Sequence, residues 1–190
     1  MHTSTWHVKM VCARDKLVDS MWYSPLPNCM VALAVSIIDT LELTCCLKSC
    51  VTSFFIAWKF HGDGMEYSAL RFVEEVMPYM CGYKITAPVV LQTELTLMQR
   101  LKWVVPGRTF WDVLPEVPAV YTQFMDRASL HALLTLKHNQ DPVSLAWATV
   151  YYACYLSAFQ LHWQTLVMGP SSSPDRVRVL LCDLFKSNRR

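Results

Sequence analysis

Between residues 47 and 58, apolar side chains fall at Leu47, Cys50, Val51, Phe54, Phe55 and Trp58, the spacing of one helical face. Ile56 and Ala57 cover the other side, and no charge occurs from Ser49 to Trp58. A helix that is apolar all round belongs at the centre of a bundle. This one ends in FFIAWKF (54–60), so an ammonium group at Lys59 closes a greasy helix. Such a charge needs a partner or a surface.

The same periodicity predicts helices on both sides. A first helix spans about 8–22, and SPLPN (24–28) breaks it, with Asn28 as the N-cap of the next. The second helix, 29–43, carries Val31, Ala34, Val35 and Ile38 on one stripe. The central helix, 47–60, stops at HGDG (61–64). A fourth, 65–80, sets Leu70, Val73 and Met77 against Arg71, Glu74 and Glu75. Thr86 opens a fifth, 87–103, with Pro88 in its first turn. VVPGR (104–108) then marks a boundary. Beyond it come a proline-interrupted stretch (109–125), a helix over 127–138, a long helix opened by Asp141-Pro142, the GPSSSP loop (169–174) and a last helix, 175–187. Ala57-Trp58 and Ala146-Trp147 echo each other in nearly uncharged helices. The expectation is an all-α fold of two tandem helical bundles, 8–104 and a shortened 109–188.

Composition narrows the class. The chain is 53% hydrophobic and 17% charged, which excludes a disordered protein. Seventeen basic residues face fifteen acidic ones without clustering, so no nucleic-acid stripe and no polybasic membrane anchor is expected. The first ten residues have no apolar h-region, so no leader is expected either. From Pro142 to Pro174 no charge occurs, a length that reaches across a bilayer. Its polar residues and mid-segment Tyr151, Tyr152 and Tyr155 favour a buried soluble helix, because spanning segments place Tyr at their rims.

The cysteines (12, 29, 45, 46, 50, 81, 154 and 182) form no CxxC pair, and Cys45, Cys46 and Cys50 lack a second cluster. Free thiols, no metal and a reducing compartment, nucleus or cytoplasm, are expected. No GxSxG, HExxH, P-loop or dinucleotide glycine pattern occurs, so neither an enzyme nor a cofactor is expected. His131 and His138 are expected at the surface.

A second charge interrupts an apolar stripe in VLQTELTLMQRLKW (90–103), where Val90, Glu94, Leu97 and Leu101 share a face. Lys59 and Glu94 are thus two charges of opposite sign on apolar helices. The plain reading is a snorkelling lysine and a solvated glutamate.

Three segments together resemble a cyclin box. NCMVALAVSIIDTLEL (28–43) is similar to its second helix at Leu33-Ala34-Val35 and Asp39, FIAWKF to its third at Ala57 and Lys59, and LQTELTLMQRLKW to its fifth at Glu94 and Trp103. The closing Leu-Lys-Trp is most like D-type and viral cyclins. The resemblance implies a regulatory subunit that binds and activates a cyclin-dependent protein kinase through Lys59 and Glu94, flanked by Ile56, Phe60, Met98 and Trp103. It implies a structural role for Asp39, paired with a basic residue of the first helix, where Lys9 and Arg14 both qualify, and for Ala57. The family's methionine-arginine-x-x-leucine substrate patch is not found in the first helix. RDKL (14–17) and RASL (127–130) match a minimal destruction box and are read as helix residues. The alternative is a cyclin-fold binding module without kinase activation, either transcription-factor-like or a pseudo-cyclin scaffold.

Overall fold

The computed structural model describes residues 12–43, 46–61, 68–80, 82–115, 122–157 and 173–188. Among them all regular structure is helical: α1 (Ala13–Trp22), α2 (Asn28–Thr40), α3 (Leu47–His61), α4 (Ala69–Glu75), α5 (Ala87–Arg100), α6 (Thr122–Thr135), α7 (Pro142–Leu156) and α8 (Pro174–Ser187), with short 3-10 turns at Met77–Tyr79 and Trp111–Val113. Residues 8–11 of the expected first helix lie outside the described residues.

α3 occupies the centre, as its all-apolar surface requires. Every residue from Ser49 to Ala57 is buried, and α1, α2 and α5 pack around it. Its buried hydroxyls are satisfied within the helix: Thr52 Oγ1 donates to the Lys48 carbonyl at 2.7 Å and Ser53 Oγ to the Ser49 carbonyl at 2.9 Å. α6, α7 and α8 pack on one another, and α1 bridges to α6. One apolar core runs through both groups, from Leu17 to Leu184.

Several boundaries differ from the sequence expectation. Asn28 is the first helical residue of α2 rather than its cap, because Pro27, with extended backbone, takes the cap position. The fourth helix ends at Glu75, since Pro78 has no N–H to donate and its ring crowds the carbonyl of Glu74. The predicted stripe of α4 is also rotated. Ala69, Phe72 and Val76 are buried, Phe72 lying 5.2 Å from Phe55 and 5.8 Å from Trp58 between ring centroids. Of the predicted stripe, Leu70 is 59% exposed, Val73 half-buried and Met77 buried, and the three line an open groove facing Tyr83, Ile85 and Pro88. The sixth helix starts earlier than expected, at Thr122, and ends at Thr135.

α5 stops in a way that matters for the site. The Trp103 N–H reaches the Met98 carbonyl at 2.8 Å, and the Lys102 N–H reaches the Gln99 carbonyl at 3.0 Å. This pair of bonds is a Schellman closure, which normally carries glycine at the left-handed position. Here Lys102 and Trp103 adopt φ of 52° and 61°, so two L-residues hold the strained conformation.

Candidate protein-docking site

α3 is buried from Ser49 to Ala57 and reaches the surface at its first turn and again in its last. In the last turn Lys59 Nζ meets Glu94 Oε1 at 2.7 Å, so the two sequence oddities form one ion pair across α3 and α5. The ammonium lies 5.2 Å from the Phe55 ring centroid, a cation–π contact that helps fix its position. The Lys59 side chain is 40% exposed and that of Glu94 17%. The pair is therefore accessible while its carboxylate sits in a mostly apolar setting.

The other expected contacts divide into two sets. Phe60 and Trp103 are 61% and 63% exposed, Trp103 being presented by the left-handed turn after α5. Met98 is half-buried, one helical turn beyond Glu94. Ile56 and Ala57 are buried in the core and not at the surface with the pair. Two further residues escaped the sequence reading. Leu91 and Leu95 are exposed on the flank of α5 that carries Glu94 and Met98. Their spacing with Met98, i, i+4 and i+7, is a second apolar stripe beside the buried one of Val90, Leu97 and Leu101. The apolar spacing of Leu91, Leu95 and Met98 alongside the other stripe was the available signal.

Asp39 forms a separate buried centre. Arg14 donates to it twice, Nε to Oδ1 at 2.7 Å and Nη2 to Oδ2 at 2.9 Å. Of the two candidate bases, Arg14 is the one in place; Lys9 lies outside the described residues. The His138 backbone N–H also donates to Asp39 Oδ2 at 2.7 Å, and Arg14 Nη2 reaches the Leu136 carbonyl at 3.2 Å. Burial disfavours the guanidinium charge, but the hydrogen bond and charge of Asp39 outweigh it and raise the Arg14 pKa. The centre therefore clamps the α6–α7 connection onto α1 and α2.

The expectation of a surface His138 is corrected. Its ring is buried, bonded through Nε2 to the Ala132 carbonyl at 3.1 Å and packed 5.0 Å from the Phe110 ring. Burial pushes its pKa down to about 4, against the opposing pull of that bond and of Asp39. The residue lies beyond the end of α6, where the clamp at Asp39 draws the chain inward. His131 is part-buried as well, 5.1 Å from the Tyr152 ring and 2.8 Å from Ser187 Oγ.

Among the described residues no group of three His, Cys, Asp or Glu side chains is placed to hold a metal ion, and no helix is long and apolar enough to cross a membrane. No protein-family model matches the chain, and no curated protein matches it in sequence.

Proposed function

We propose that this chain is a cyclin-like regulatory subunit that binds and activates a cyclin-dependent serine/threonine protein kinase. The observation that carries the reading is the Lys59–Glu94 pair at 2.7 Å, set among exposed Phe60, Leu91, Leu95 and Trp103. A polar pair ringed by aromatic and aliphatic side chains is the composition of a binding hot spot, where the ring excludes water from the charges. On a free surface the same arrangement leaves large apolar side chains in water for no gain in fold stability.

The chain does no chemistry in this reading. The face of α3 and α5 docks beside the mobile helix αC of the kinase and holds it inward. The kinase then forms the internal lysine–glutamate pair that aligns ATP. The driving free energy is the difference in affinity for the active and inactive kinase conformations. α3 suits the task because it is anchored on all sides and orders little on docking.

Co-purification with a panel of cyclin-dependent kinases, with activity assayed on each complex, tests the proposal. Lys59→Ala and Glu94→Ala are expected to change folding stability by under about 1 kcal/mol, as for other accessible ion pairs. Each is expected to cost about 2–5 kcal/mol of kinase affinity, because the lone partner is left desolvated in the interface. If no kinase binds the folded wild-type chain, the reading fails. A kinase that binds without gaining activity supports the scaffold alternative instead.

A further inference from the structure

A second cavity lies between the first turn of α3 and a separate flank of α5, away from the Lys59–Glu94 face. Val89, Gln92, Thr93, Thr96 and Arg100 form its α5 wall, at the i, i+3, i+4, i+7 and i+11 spacing of one helical stripe, and Lys48 and Ser49 close it from α3. Its volume is about 290 Å³. Two cations line it and no carboxylate does. Lys48 and Ser49 belong to the first turn of α3, at the positive end of its dipole.

Two details separate this cavity from a chance surface dent. Arg100 is held by an Nη2–H donation to the Leu41 carbonyl at 2.8 Å, which orients the guanidinium before any ligand arrives. Thr93 is only 8% exposed, and what remains accessible of it lines the cavity, with no hydrogen bond to another described residue occupying its hydroxyl. The field of the two cations also extends to Cys46, whose Sγ lies 3.1 Å from Ser49 Oγ. The Ser49 hydrogen bond lowers that thiol's pKa, and Lys48 and Arg100 add to the effect.

We propose that this cavity binds a phosphoryl-type oxyanion, held by Lys48 and Arg100, by the Thr93 hydroxyl and by the first turn of α3. The inference stands apart from the proposed function: it uses a different flank of α5 and none of the docking residues. The shared chemistry is a tetrahedral dianion, and it has two sources, free phosphate or a phosphorylated side chain.

The test is a titration of the isotope-labelled chain with sodium phosphate, followed by amide chemical shifts, against sodium chloride at matched ionic strength. Saturable shifts centred on Lys48, Ser49, Thr93 and Arg100 are expected with phosphate only. Thr93→Val and Lys48→Gln are each expected to weaken binding about tenfold, the loss of one charge-assisted hydrogen bond. Two substitutions on different helices keep the test open if one variant does not fold. Lys59→Ala is expected to leave phosphate binding unchanged, which separates this result from any failure of kinase docking. Titration with O-phospho-L-serine then assigns the source. Tighter binding than inorganic phosphate points to a modified side chain, and equal binding to the free anion. Shifts that do not saturate, that chloride reproduces, or that both variants leave untouched overturn the proposal.

Discussion

Arg14 and Asp39 illustrate how much one buried pair can organise. The guanidinium spans both oxygens of Asp39, and a third donor, the His138 N–H, comes from the α6–α7 connection, so both carboxylate oxygens have partners. Removing one side leaves the other charged and dry. Asp39→Ala is therefore expected to cost about 3–5 kcal/mol in denaturant unfolding, far more than either charge of the accessible Lys59–Glu94 pair. Cysteine chemistry is decided at the same scale. Cys46 is exposed with a lowered pKa, whereas burial raises that of Cys29 and of Cys154. Alkylation of the native protein at neutral pH, read by peptide mapping, should label Cys46 faster than Cys29 or Cys154.

At the scale of elements, the informative features are the ends. α7 opens as Asp141-Pro142 suggests: the aspartate accepts from the Val143 and Ser144 N–H groups at 3.2 and 3.1 Å. α5 closes against its own propensities, on Lys102 and Trp103 in the left-handed region. Glycine at position 102 removes the steric cost, partly offset by the freedom it adds to the unfolded chain. Lys102→Gly is expected to stabilise the protein by about 1 kcal/mol, seen as a higher urea midpoint at unchanged slope. The strain is retained beside exposed Trp103, a residue of the proposed docking face. α4 shows the limit of periodicity. Over two turns, Leu70 and Phe72 offer rival faces, and only contact with Phe55 and Trp58 selects Phe72.

At the scale of the whole molecule, the two helical groups share one core and one polar clamp. His138 makes that clamp sensitive to acid. Its folded pKa is about 4, below the ordinary value of 6.5, so the folded state keeps the ring neutral while the unfolded chain takes up a proton. Stability is thus complete above about pH 6.5 and falls as pH drops towards 4, by about 3 kcal/mol from this group. Chemical denaturation at a series of pH values should trace that slope, and His138→Gln, which keeps an N–H donor, should flatten it.

The sequence by itself determined the helical class, the central place of α3 and the oddity of two opposed charges on apolar helices. These are local properties: a period, a run without charge, a proline or a cap, each visible within a few residues. It also marked Asp39, through resemblance, but left Lys9 and Arg14 as rival partners. Only the tertiary structure decided that Arg14 reaches Asp39, that His138 is drawn inside and that Leu91 and Leu95 stay exposed. It alone brought Lys59 to Glu94 and Lys48 to Arg100 across the same two helices, on separate flanks of α5. Such pairings depend on how α3 and α5 cross, and a crossing is set by side-chain packing summed over both helices rather than by any local pattern.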